Sequence, residues 1–191
     1  MPSKKFKDTY TSIFESNGSV SLEHHIKKIV EMDAYLPYNT TFFTLINTTS
    51  LSFDYVSKNF EVCTGRAPQE MKTQGMNYFW SIMHPTDLKC YLKALKDLMA
   101  YTLKEIPLDE RKHLCYTYNY RIKNGSGEYV HVIQNSTPVY FDAGGKPVIG
   151  MAQYTVLDPG IELPLTATVK QMKHDNQYET VFFKNYDSKK K

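Results

Sequence analysis

The chain has 191 residues, 41% of them hydrophobic and 23% charged, enough for one full core with appendages. Its net charge of +3 is small, and part of it sits at the two ends in Lys4, Lys5, Lys7 and Lys189 to Lys191, which does not support a nucleic-acid surface on the body of the fold. Three cysteines without a CxxC spacing argue against a disulfide framework or a zinc site, no stretch approaches the roughly 20 apolar residues of a membrane span, and no apolar run follows the basic start, so a cytoplasmic protein without a signal peptide is expected.

Residues 1–18 are polar, end in Asn17-Gly18 and read as a loose arm with at most a short turn around Tyr10 to Phe14. Ser21 is expected to cap a helix in which Leu22, Ile26, Ile29, Val30 and Leu36 recur at helical spacing before Pro37 stops the run. This helix is amphipathic and needs an apolar surface, either its own domain or a second copy. Phe42 to Thr49 and Leu51 to Ser57 are predicted strands of a tight hairpin, with Leu51, Phe53 and Tyr55 alternating against Ser52, Asp54 and Val56. Lys58 to Thr64 predicts a short helix stopped by Gly65, since glycine takes positive φ at little cost. Pro68 to Met71 starts another helical turn, Gly75 breaks it, and Met76 to Met83 is a very apolar segment.

His84-Pro85-Thr86-Asp87 is a helix start: Pro85 suits the first helical position and Asp87 can accept bonds from free N–H groups. The helix carries Leu88, Tyr91, Leu92, Leu95, Leu98, Met99 and Leu103 on one stripe, and Pro107 limits it. Three strands follow in meander order. Leu114, Tyr116, Tyr118, Tyr120 and Ile122 alternate with Cys115, Thr117, Asn119 and Arg121. Tyr129 to Tyr140 is long and kinked near Pro138, and Lys146 to Leu157 is the last; glycine-rich turns join them at 124–127 and 142–145. After Asp158-Pro159-Gly160, Thr166 to Met172 and Tyr178 to Tyr186 read as two further strands, either a small β extension or the linker to another domain. The expected organisation is an arm and flanking helix over 1–40, a main domain over 41–158 and a C-terminal extension over 159–191. The element order predicts an α+β architecture with helices on one face of an antiparallel sheet.

Several short motifs fall in one order. Phe53-Asp54-Tyr55-Val56-Ser57 leads to Asn59-Phe60-Glu61 and Thr64-Gly65, then to His84-Pro85-Thr86-Asp87. Tyr120-Arg121-Ile122, Asn124-Gly125, Glu128-Tyr129-Val130 and the run Asp142 to Pro147 complete the series. Over roughly Thr41 to Asp158 this series resembles a PAS domain, the sensory module common in bacterial signalling proteins. The resemblance implies a five-stranded antiparallel sheet with helices enclosing a pocket on one face. It also implies a homodimer, formed through an N-terminal flanking helix, and regulation of an attached output domain. The layout resembles the sensor half of bacterial PAS regulators with a LuxR-type helix-turn-helix, so DNA is expected as a partner only through an output domain not in this chain.

Light-sensing flavin members of that family carry a reactive cysteine just before the long helix. Here Tyr78 stands at that place, and a phenol cannot form the thiol adduct, which disfavours the flavin adduct. Haem is disfavoured because residues 88–104 contain no histidine, and the helix-start role already accounts for His84. The cofactor is therefore left unknown, and no catalytic or metal constellation is readable from spacing.

The side chains expected to face a pocket are Phe53, Tyr55, Met76, Phe79, Trp80, Met83, Leu92 and Leu95, with Tyr118 and Tyr120 adding polar tips; such a lining suits a small organic ligand, although the same residues can simply fill a core. The reading that follows is a non-enzymatic sensory domain that dimerises and binds a small ligand or partner to control a transcriptional output. A small α+β pocket enzyme or ligand carrier is the alternative, although those folds place helices before the sheet and here two strands precede the long helix. A dimerisation scaffold that binds nothing is the third.

Overall fold

The computed structural model describes residues 4–14, 23–173 and 177–187. Alternation of apolar and polar residues, punctuated by turns, makes seven strands among them: β1 (Thr41–Asn47), β2 (Ser52–Val56), β3 (Leu114–Lys123), β4 (Tyr129–Phe141), β5 (Pro147–Val156), β6 (Thr166–Met172) and β7 (Tyr178–Asn185). They pair antiparallel in one sheet of order β2-β1-β5-β4-β3-β6-β7. The five strands expected from the resemblance form one contiguous block. The C-terminal hairpin adds two more because the open edge of β3 at Leu114 to Tyr118 offers β6 a ladder.

Six α-helices among the described residues accompany the sheet: α1 (Lys4–Phe14), α2 (Glu23–Tyr35), α3 (Asn59–Thr64), α4 (Pro68–Gln74), α5 (Met76–Ile82) and α6 (Pro85–Glu105). The first corrects the expectation of a loose arm. Phe6 and Tyr10 lie one helical turn apart and are both buried, each meeting Trp80 edge to face at centroid distances of 4.9 and 4.8 Å. A short polar helix gains its stability from that contact rather than from propensity.

The flanking helix α2 takes the first of its two expected seats, its own domain. Its Ile26 and Ile29 pack against Leu45, Tyr55, Val148 and Ile149, a second small core on the opposite side of the sheet. The predicted cap Ser21 and Leu22 lie outside the described residues. Asp33, 3% exposed, fastens α2 to the sheet: its Oδ2 accepts from the Tyr55 hydroxyl at 2.7 Å and from the Lys58 backbone N–H at 2.8 Å. Burial, then the hydrogen bond and charge of Asp33, push the Tyr55 phenol well above its ordinary pKa. In an Asp33→Ala variant both donors lose their acceptor, and the expected loss is about 2 kcal/mol in urea unfolding. An unchanged midpoint would show that this fastening contributes nothing.

Two glycines fasten the segment from α3 to α5 to turns of the sheet. Gly75 adopts φ 58°, and a Cβ there would come within 2.3 Å of the Leu51 carbonyl oxygen, the same oxygen that accepts from the Met76 N–H. Gly125 lies so close to Gly65 that a Cβ would sit 2.2 Å from the Gly65 oxygen. These contacts bring the α3–α5 segment against the β1–β2 turn and the β3–β4 turn. The start of α6 is fixed to β3 by an isolated bridge between Met83 and Ile122. Its far end is fixed by the buried Arg111, whose guanidinium donates to the carbonyls of Leu103, Ile106 and Gly145. The long helix is thus held at both ends across the inner face of the sheet.

Candidate functional site

Between α6 and the sheet lies a cavity of about 70 Å³. The inward row of β3 supplies Tyr116 and Tyr118, the inward row of β4 supplies Gln134, Ser136 and Pro138, and α6 covers them with Tyr91, Leu95, Leu98 and Met99. Tyr10 of α1, Ile46 and Thr48 at the end of β1, and Pro147 and Gly150 of β5 close the remaining sides. The volume exceeds what a single water needs and suits a ligand of about two to four non-hydrogen atoms.

One wall of this cavity is polar and the other apolar. On the polar wall the Gln134 Nε2 donates to Ser136 Oγ at 2.8 Å and to the Tyr118 hydroxyl at 3.2 Å, and Tyr118 and Ser136 share a hydrogen bond of 3.2 Å. The Tyr120 hydroxyl donates to Gln134 Oε1 and so fixes the amide from behind. Burial raises the phenols of Tyr118 and Tyr120 far above their ordinary pKa, and it pushes Tyr116 up to about 12 although Thr102 bonds to its hydroxyl. The lining therefore offers neutral hydroxyls and an amide at ordinary pH, and no charged side chain among the described residues lines it.

Of the ten side chains expected to face a pocket, Leu95 and Tyr118 line this cavity. Phe53, Met76, Phe79, Trp80, Met83 and Tyr120 are buried in the main core without lining it. Phe79 explains part of this, for its ring meets Phe53, Tyr120 and Tyr154 and fills the space between them. The rings of α1 fill the space in front of Trp80. Leu92 is half-buried at the margin of the core. Tyr55 is a clear correction. Ile46 pairs with Phe53 and Leu45 with Tyr55, so Asp54 is an extra residue in β2. The bulge sends Phe53 to the inner face and Tyr55 to the outer one, where it meets Asp33.

Gln134, Ser136 and Tyr10 were not anticipated as lining residues. The signal was present for the first two: they occupy alternate positions with Val132 on one face of β4, so a polar pair sits where apolar residues belong. The histidine at the start of α6 has the helix-start role expected of it. His84 Nδ1 accepts from the Thr86 N–H at 3.4 Å and shares a 2.8 Å bond with its hydroxyl. Cys63 donates to the Asn39 carbonyl, and burial pushes its thiol up to about 11, away from the thiolate form. No helix is long and apolar enough to cross a membrane among the described residues.

Among solved structures, the PAS-B domain of Cycle from Drosophila melanogaster with bound ethylene glycol is 14% identical, with a TM-score of 0.45 over 61% of this chain and 99% of that one. The N-terminal domain of a diguanylate cyclase with PAS/PAC sensor from Marinobacter aquaeolei is 16% identical, with a TM-score of 0.46 over 61% and 94%. A sensory box histidine kinase/response regulator from Burkholderia thailandensis is 16% identical, with a TM-score of 0.45 over 70% and 84%. No curated protein matches the sequence. A family model described as the PAS fold matches residues 53–152, from β2 into β5 and across more than half of the sequence, and the chain belongs to that family.

Proposed function

We propose that this chain is a non-enzymatic, cytoplasmic sensory module whose inner cavity takes a small uncharged organic molecule with one hydrogen-bonding group. The observation that carries this reading is the two-sided cavity: Tyr118, Gln134 and Ser136 on one wall, Leu95, Leu98 and Met99 on the other. A charged ligand would lose its hydration and meet no counter-charge there. Binding would register on α6, because that helix forms the apolar wall. Dimerisation through α2 is part of the proposal, supported by the exposure of Val30, Met32, Tyr35 and Leu36 on and just after that helix. The output, on the resemblance in layout, is a DNA-binding module.

Native mass spectrometry of the purified chain tests the ligand and the dimer together. The expected spectrum is a dimer carrying a small adduct. In solution, 1-propanol is expected to shift the side-chain amide resonances of Gln134, and Ser136→Ala to weaken that binding about tenfold, the effect of one hydrogen bond of about 1–1.5 kcal/mol. Bare protein whose Gln134 resonances ignore 1-propanol would overturn the ligand reading. The cavity is well below the 300 Å³ at which ordinary ligand pockets begin. That smallness favours the scaffold that binds nothing as the second reading, and the same spectra decide between the two.

A further inference from the structure

A second and larger cavity, of about 330 Å³, lies on the far side of α6's first turn. It is walled by that turn, by Asn119 to Arg121 of β3, by His131 of β4, by the segment Glu162–Leu165 and by Tyr186 and Asp187 after β7. None of the segment or the tail belongs to the stretch that matches the family, so this cleft exists only because the C-terminal hairpin folds back onto the domain.

Its floor is made of polar groups more than nine-tenths buried: Asp87, Asn119 and His131. Two of them are fully engaged. Asp87 Oδ2 accepts from Arg121 Nε and from the Arg121 backbone N–H, both at 2.9 Å, and Oδ1 accepts from Arg121 Nη2 at 2.6 Å. Asn119 donates to the Pro164 carbonyl and accepts from the Thr166 N–H, each at 2.8 Å. His131 is different. Neither of its ring nitrogens has a hydrogen-bond partner among the described residues, and because Nδ1 is completely buried, Nε2 is the nitrogen left to meet an occupant of the cleft. Arg121 Nη1 likewise has no partner among them, since only Nε and Nη2 reach Asp87 and its neighbours. At the mouth, the exposed Glu162 makes no hydrogen bond or ion pair among the described residues, and Asp187 adds a second carboxylate.

The charges sort by depth. Arg121 and Asp87 neutralise one another, which leaves unused N–H donors inside and the Glu162 carboxylate at the rim. Burial, and then the neighbouring Arg121, hold His131 below its ordinary pKa, so it stands there as a neutral ring with one donor. A simple anion entering this cleft passes the Glu162 carboxylate, and a simple cation ends against Arg121. A molecule with a carboxylate and an ammonium a few ångströms apart satisfies both ends. The volume lies at the small end of ligand pockets, which limits the molecule to a few carbons. We infer that this cleft binds a small zwitterion of the free amino-acid class, its carboxylate on Arg121 Nη1 and His131 Nε2 and its ammonium on Glu162. An occupant there joins the β6 lead-in to the start of α6, independently of anything in the inner cavity.

Titration calorimetry on the whole chain tests this with glycine and L-alanine, and with propionate and ethylamine as the two halves of the ligand. The amino acids are expected to bind, to shift the His131 ring resonances, and to bind about tenfold or more tighter than either half, the effect of one charge-assisted contact. Glu162→Gln, at an exposed position that leaves folding intact, is expected to weaken L-alanine about tenfold and to leave propionate unaffected or slightly tighter. No heat and no His131 shift with either amino acid at about 10 mM would overturn the inference, since a useful site binds well below that. So would amino-acid binding no tighter than propionate, or a Glu162→Gln chain that binds L-alanine as the parent does.

Discussion

An Asp87→Ala chain is expected to unfold about 3 kcal/mol more easily than the parent at neutral pH. Asp87 is 8% exposed and holds Arg121 by two side-chain bonds and one backbone bond, so its removal leaves the guanidinium without its counter-charge and a strand N–H without an acceptor. Breaking a buried pair from one side typically costs about 3–5 kcal/mol, and the lower end applies because a third of the Arg121 side chain remains in contact with water. Acid should produce the same loss in the parent. Burial alone would raise the Asp87 carboxyl, but the hydrogen bonds and charge of Arg121 outweigh it and hold the folded value below the ordinary 3.8. A group depressed in the folded state contributes its stability above the unfolded value and loses it as pH falls through the folded one. The urea midpoints of parent and variant should therefore differ at pH 7 and converge as pH falls below 3.8. A gap that stays constant into acid would assign the loss to packing at the helix start instead of to charge.

Trp80→Ala is expected to cost about 3–5 kcal/mol and to free the N-terminal helix. Trp80 is 1% exposed, and the rings that pack on it from α1 are Phe6 and Tyr10. Without the indole, the apolar side of α1 loses its seat, and eleven residues with little propensity of their own have no reason to remain helical. Trypsin reads this directly, because the exposed Lys4, Lys5 and Lys7 become cleavable once the helix unravels. The parent should resist at those lysines, the variant should be cut rapidly, and Trp80→Phe should fall between. Equal cleavage of parent and variant would show that α1 does not depend on the indole.

The parts of this fold that were legible in the sequence are those whose signal is local. The row Leu114, Tyr116, Tyr118, Tyr120 and Ile122 alternates strictly, and all five are buried on one face of β3. His84-Pro85-Thr86-Asp87 starts a helix at Pro85, Gly65 takes the positive φ that its position suggested, and Gly75 breaks the helix before it. What was not legible depends on distant partners. Phe6 and Tyr10 make too weak a pattern alone, and the Trp80 ring on which they pack lies 70 or more positions later. Tyr55 obeyed its alternation until one extra residue at Asp54 inverted it, and nothing in the composition of that strand announces a bulge. The candidate site moved for the same reason. The aromatic stretch from Met76 to Met83 looked like a lining because it is rich in large side chains, but α1 and the sheet close over it. The space left open lies further along α6, beside the two polar residues of β4.

The strand order has a consequence for how the chain is made. β1 sits beside β5, and Thr41 meets Thr155 across 114 positions of sequence. At about 5–20 residues per second, a ribosome that has finished β1 needs roughly 6–20 s to deliver the strand that covers its other side. Throughout that interval the β1–β2 hairpin has one bare edge carrying Phe42, Phe43, Leu45 and Ile46, a stretch well suited to pairing with a stranger. The order of the sheet thus makes the nascent chain most exposed to chaperones and to misassembly before β5 is translated, long before any ligand or partner has a site to occupy.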